Sequence, residues 1–232
     1  MEIWNSLLKF RVKDAAEFHY HWKCKELGLI NLCFADDVLL FCKAHLPSIT
    51  VLTDTLTEFA ALLGLKVNSA KSQIIFSLAV QQERQQILEY LGFQEGSLPI
   101  KYLGIPLTSS RLTIADCRPL IDKVDARLAG WNHQNLSYAG RLQLIKSVLS
   151  TLHTYWASAF ILPKGVLKTL EKKMRRFLWH GSSGSGNAKV AWEWISKPKE
   201  EGGLGIHSLI TTNQTLMLKQ LWRILQNDGT SI

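Results

Sequence analysis

Hydrophobic and polar positions follow two rhythms along this chain, and the change from one to the other falls near residue 110. Before it, short extended patterns mix with helical ones. Residues 2 to 14 read as the closing part of a helix, and AEFHYHWKC (16–24) sets Phe18, Tyr20 and Trp22 alternately with polar residues, the period of a strand. LCFADDVLLF (32–41) has two apolar arms around an Ala-Asp-Asp centre and predicts a β-hairpin, covered on both faces because its arms are apolar at successive positions. From Ser48 to Leu63, a stripe of Leu52, Leu56, Phe59 and Leu63 predicts a helix that stops at Gly64. A strand over Gln73 to Phe76, a short helix near 81–91 and a strand–turn–strand in LPIKYLGIPLT complete this part.

From residue 111 the pattern is helical. TIAD (113–116) is a capping box, with Leu120, Val124, Leu128 and Trp131 on the face that follows it. Ser137 is the expected N-cap of one long helix with Leu142, Ile145, Val148, Leu152 and Trp156 inward. A third helix over about 166–179 turns Leu167, Leu170, Met174 and Phe177 inward and its lysines and arginines outward. GSSGSGNA (181–188) has the composition of a flexible linker, and the remainder holds a Gly-rich EEGGLGI turn and an amphipathic helix with Leu216, Leu218, Leu221, Trp222 and Leu225. The fold class expected is α+β: β-hairpins with packed helices, then an all-helical region and a short C-terminal helical segment.

Composition narrows the function classes. With 232 residues and 47% hydrophobic content the chain can build a real core, which excludes a disordered tail. The formal charge is +8, and the stretch from Arg141 to His180 alone holds eight Lys and Arg against one acid, Glu171. Such a balance points to a polyanion, nucleic acid first. The four cysteines have no C-x-x-C spacing and no nearby His pair, so they predict buried thiols in a reducing compartment rather than a zinc site or disulfides. The N-terminus has charges where a signal peptide needs an apolar core, and Ser147–Leu162 is shorter than a membrane span, so an intracellular protein away from membranes is expected. The eight tryptophans fall on apolar stripes and are expected in the core.

Two adjacent carboxylates, Asp36 and Asp37, stand inside the apolar run of the first hairpin. Removing an ionised carboxylate from water costs several kcal/mol or more unless it is compensated. They therefore either occupy an exposed turn, which is ordinary Asp chemistry, or hold a cation, as polymerase-type phosphoryl transfer requires. Lys71 reads as a solvated turn lysine, and Tyr102, Leu103 and Gly104 read as a plain hairpin with a core tyrosine. Lys164, Lys168, Lys172, Lys173, Arg175 and Arg176 form a solvated face or a phosphate track.

FADD resembles the aspartate motif of reverse transcriptases in the form used by plant LINE-type non-LTR retrotransposons. The text after it is similar to that family in order and spacing. GLKVNSAKS (64–72) resembles the next motif, IKYLGIPLTSSRL (100–112) the primer grip, and residues 116–149 the thumb; RRFLWHG and KVAWEWISKPKEEGGLGI resemble the stretch leading toward a zinc-binding region. The resemblance implies an RNA-directed DNA polymerase: Asp36 and Asp37 catalytic and binding Mg²⁺, Lys71 beside the incoming triphosphate, Tyr102, Leu103 and Gly104 gripping the primer, and the basic helix contacting nucleic acid. It implies an RNA template and a DNA primer as partners, and access to the nucleus. The domains expected are a palm portion over 1–110, a thumb over 111–180, a linker over 181–188 and the start of a connector over 189–232. The family's third catalytic aspartate, its fingers and its Cys/His cluster have no counterpart in these residues. Mg²⁺ is therefore expected to bind weakly or not at all, and the chain alone to be inactive, unless a separate N-terminal part restores the site. The alternatives are a non-catalytic nucleic-acid-binding remnant and a non-folding product of a decayed insertion.

Overall fold

The computed structural model describes residues 2–77, 83–131, 136–181 and 190–226, and the chain is α+β. It divides into two compact units, Met1–Ile100 and Lys101–Ile232.

In the first unit helix α1 (Glu2–Asp14) buries Trp4, Leu8 and Val12 every fourth residue. They join Phe18, Ile30 and Leu52 in one apolar cluster, with Trp4 edge-on to Phe59 at 5.3 Å between ring centres. Strands β1 (Asn31–Phe34) and β2 (Asp37–Leu40) pair antiparallel, with Phe34 opposite Asp37. Helix α2 (Leu46–Leu63) ends at Gly64, whose φ of 70° closes the last turn onto the Ala60 carbonyl. Its length and hydropathy suit a membrane span, yet it carries Asp54 and Glu58, pairs Glu58 with Arg11 at 2.7 Å and packs Leu52 into the cluster. Its stripe is displaced from the expected one, since Ser48, Ile49, Leu52 and Thr55 are buried while Leu63 is exposed. Strand β3 (Gln73–Ile74) pairs in parallel with β4 (Gln94–Glu95), which follows helix α3 (Arg84–Leu91).

The expected strand over residues 16–24 does not form. His19 donates its N–H to Ser48 Oγ and accepts one bond from the Lys43 N–H, so no ladder supports an extended pairing, and Trp22 is exposed. The expectation that the first hairpin is covered on both faces is also corrected. Phe34 is 60% exposed and Val38 37%, because helices pack only toward the base of the arms.

The second unit opens with β5 (Ile100–Tyr102) and β6 (Ile105–Leu107), paired across the two-residue turn Leu103-Gly104. The TIAD box forms its reciprocal hydrogen bonds, Thr113 N–H to the Asp116 carboxylate and Asp116 N–H to Thr113 Oγ1. They close a turn, and helix α4 (Arg118–Gly130) starts two residues later with Pro119 in its first turn. Ser137 caps α5 (Tyr138–Leu144) by accepting from Gly140 N–H. The single long helix expected after it is broken into α5, a π-helical turn (Ile145–Leu149), α6 (Ser150–Leu152) and α7 (Thr154–Ala159). Its stripe nevertheless reaches the core, where Ile145, Leu149 and Trp156 are buried. Helix α8 (Lys164–His180) is the centre of this core, with Val166, Leu167, Leu170, Met174, Phe177 and Leu178 buried. The linker expected over 181–188 lies, apart from Gly181, outside the described residues.

Residues 190–226 share this core through Trp192, Ile195, Ile206 and Leu209. Helices α9 (Trp192–Ile195) and α10 (Leu209–Gln226) are joined by the EEGGLGI turn, and a Cβ on Gly203 would lie 2.0 Å from the Lys197 carbonyl oxygen, so only glycine fits. Asn213 is 3% exposed and fully satisfied. Its Oδ1 accepts from Leu162 N–H at 2.9 Å, and its Nδ2 donates to the Ala157 and Phe160 carbonyls at 2.8 Å each. Five tryptophans lie in or against a core, and Trp22, Trp194 and Trp222 are exposed against expectation, because the elements bearing them present that side to no neighbour.

His153, between α6 and α7, is 1% exposed. Burial holds its imidazole below the ordinary 6.5, against an opposing pull from the Ser150 carbonyl. Two stability predictions follow from these buried polar groups. Asn213→Ala strands three backbone groups and should cost about 2–3 kcal/mol, read as a lower denaturant midpoint. With its folded pKa depressed, His153 binds a proton more readily in the unfolded chain, so its contribution is intact above pH 6.5 and falls as pH drops below that value. His153→Leu should flatten this acid-side loss in melting curves taken between about pH 7.5 and pH 5.

Candidate active site and nucleic-acid interface

In the first unit the carboxylate pair occupies the tip of the β1–β2 hairpin. The loop is Ala35-Asp36, and Ala35 adopts φ 51°, a left-handed conformation that costs an L-residue about 1–2 kcal/mol. That turn holds Asp36 and Asp37 in solvent, both exposed, at the end of arms anchored below by Cys33 and Leu40 against the apolar cluster. Asn31 Nδ2 also donates to Asn5 Oδ1 at 2.7 Å, fixing the hairpin to α1. Of the two alternatives left by the sequence, the exposed turn is therefore realised. It is equally the placement a substrate-facing metal site needs.

Lys71 lies exposed in a separate turn organised by Asn68, which the sequence reading did not single out. Asn68 Oδ1 and its carbonyl accept from Lys71 N–H, and the carbonyl also accepts from Ser72 Oγ. Among the described residues no ion pair joins Lys71 to either aspartate.

In the second unit Leu103 and Gly104 both have positive φ, 50° and 84°, which is the requirement of a type I′ hairpin turn. On α8, Lys164, Lys168 and Lys172 recur every fourth residue and are exposed, as is Arg176, with Arg175 half-buried beside them. Lys173 leaves this group. Its ammonium sits 2.6 Å from Asp125 of α4. The one acid of the basic stretch, Glu171, turns to the other side and accepts from Leu209 N–H at the start of α10. Burial pushes its carboxyl above the usual range, and the Leu209 N–H draws it back. With Glu171 turned toward α10, the exposed charges of α8 are Lys164, Lys168, Lys172 and Arg176. Neither Asp125 nor Glu171 could be assigned a partner from sequence spacing, since both partners lie on other helices.

Residues 4–107 match the reverse transcriptase (RNA-dependent DNA polymerase) family. Relatives extend the likeness along the chain. A putative ribonuclease H protein of Arabidopsis thaliana is 36% identical over 128 residues, and a retrovirus-related Pol polyprotein from a type-2 retrotransposable element of Drosophila melanogaster is 27% identical over 200 residues. These alignments cover 54% and 82% of this chain but only 20% and 18% of those relatives. An uncharacterized mitochondrial protein of Arabidopsis thaliana is 37% identical over 81 residues, 34% of this chain and 53% of that protein.

The matched segment contains the carboxylate hairpin, the Lys71 turn and the β5–β6 hairpin. The family acts on nucleic acid and generally uses divalent metal ions. Asp36 and Asp37 fit such an ion in part. Magnesium is commonly held by one or two carboxylates together with waters and substrate phosphates, and the exposed tip leaves room for both. Among the described residues no group of three His, Cys, Asp or Glu side chains is placed to hold an ion. Relaxing the strained turn tests how firmly it is specified. Ala35→Val should weaken the hairpin by about 1–2 kcal/mol and Ala35→Gly should leave it unchanged or slightly firmer, read as hydrogen exchange of the amides from residue 31 to 40.

Proposed function

We propose that this chain is the part of a LINE-type RNA-directed DNA polymerase that carries the paired catalytic carboxylates, the primer-holding hairpin and a basic helical face for the template–primer duplex. The observation that carries the reading is the exposed Asp36-Asp37 pair at the tip of a strained hairpin inside the segment that matches the reverse transcriptase family. Asp36 and Asp37 would hold Mg²⁺, which supplies charge neutralisation at the attacking 3′-oxygen and the leaving pyrophosphate. Lys71 lies beside the triphosphate, where its ammonium offsets phosphate charge. Tyr102, Leu103 and Gly104 hold the primer strand, and Lys164, Lys168, Lys172, Arg175 and Arg176 follow phosphates. RNA serves as template and DNA as primer, and priming at chromosomal DNA requires entry into the nucleus. The resemblance calls for a third carboxylate, which no described residue places beside the pair, so these residues by themselves bind the duplex without extending it. A polypeptide supplying a third carboxylate would restore polymerisation.

The exposed basic row on α8 favours a second reading in which nucleic-acid binding is the whole function. One experiment separates the two. The purified chain, alone and mixed with a polypeptide bearing the family's third palm aspartate and fingers, is given an RNA template annealed to a DNA primer. Binding should weaken steeply with salt, and neutralising Lys164, Lys168 and Lys172 together should reduce the salt slope by about 0.9 per lysine. Asp36→Asn should leave that binding intact yet abolish extension by the mixture. Extension by the chain alone would overturn its predicted inactivity, extension by neither sample would favour the binding-only reading, and absence of salt-dependent binding would overturn both.

A further inference from the structure

We infer that Tyr155 is the residue that positions the Leu103-Gly104 turn for a primer end. The inference rests on the proposal that this turn holds the primer. Its own evidence begins with strain. Ala35 and Leu103 are the non-glycine residues with positive φ among those described, and Leu103 sits at φ 50° in a hairpin whose strands are three residues each. Strands so short are marginal, and a left-handed leucine persists only where its surroundings hold it.

The hold comes from far along the chain. Tyr155 Oη donates to the Leu103 carbonyl oxygen at 2.8 Å, across 52 residues of sequence. Tyr155 itself stands on firm ground. Its neighbours on α7, Trp156 and Ala157, are 6% and 0% exposed, and the Ala157 carbonyl is bound by the buried Asn213 amide. Tyr155 is 51% exposed, and its hydroxyl supplies the directed contact to the turn. Ile105 packs the other end of the hairpin against the same core. The turn is therefore pinned at its tip and at its return strand, with Gly104 left exposed between them. This is a positioning role: the hydroxyl fixes the backbone of the turn and touches no reacting atom.

Tyr155→Phe removes the hydroxyl and keeps the ring. Amide exchange over residues 100–107 of the free chain should quicken about five- to ten-fold, the loss of one hydrogen bond, with the melting temperature lowered by only about 2–4 °C. A DNA primer with a photoreactive 3′-terminal nucleotide, annealed to RNA, should cross-link to peptide 100–107 in the parent chain. In Tyr155→Phe that cross-link should fall by a similar factor, while duplex affinity, carried by the α8 lysines, changes by less than about two-fold. Unchanged exchange would overturn the pinning, and faster exchange with an unchanged cross-link would overturn its connection to the primer. If the parent chain binds duplex salt-dependently yet never cross-links at 100–107, this inference fails and the basic-face reading stands. If it does not bind duplex at all, the proposed function fails first and the inference with it.

Discussion

Burial of one face of α8 is the constraint on which the second unit depends. Val166, Leu167, Leu170, Met174, Phe177 and Leu178 are all within 2% of complete burial, and side chains of this size contribute about 1.5–3 kcal/mol each when removed from water. The helix can satisfy that stripe only by turning its other side outward. The other side carries Lys164, Lys168, Lys172 and Arg176, so the packing of the core and the exposure of the charge are one event. Without the buried face the basic residues would be a scattered set on a flexible segment, and their electrostatic field would have no direction.

Polar clamps then decide how the neighbouring helices meet that centre. Glu171 spends its charge on the first N–H of α10, where a carboxylate also complements the positive end of the helix dipole. Asn213 satisfies three backbone groups exposed where the chain leaves α7 and approaches α8, a region that no regular hydrogen-bond ladder could complete. Asp125 takes Lys173 out of the basic face. Each contact is local in space and distant in sequence, and each tunes the surface by deciding which charges remain in water.

The first unit works on a different principle. Its cluster around Trp4, Leu8 and Leu52 fixes only the base of the β1–β2 hairpin, and the chain places a left-handed alanine where a glycine would fold at less cost. Backbone strain beside the pair of carboxylates means that the geometry of the tip is held at the expense of local stability. The same economy recurs at Leu103 in the second unit, where an external hydroxyl completes the hold.

The sequence by itself determined the α+β class, helix α2 with its Gly64 stop, the Ser137 cap, the inward stripe of α8 and the two hairpin turns, because these depend on spacing and turn chemistry within about ten residues. It also carries acidic, basic and hairpin motifs that resemble those of reverse transcriptases. Tertiary structure decided what spacing cannot encode. Extended residues 16–24 became a strand only in pattern, since a strand needs a partner along its length. The apolar arms at Phe34 and Val38 stayed partly in water because no described element packs on them, and the helix after Ser137 widened into a π-turn that no periodicity announced. Most of all, the partners of Glu171, Lys173, Asn213 and Tyr155 lie 38 to 56 residues away. Hydrogen bonds reach only about 3 Å, so which distant groups share them is settled by the packing of the core and by nothing local.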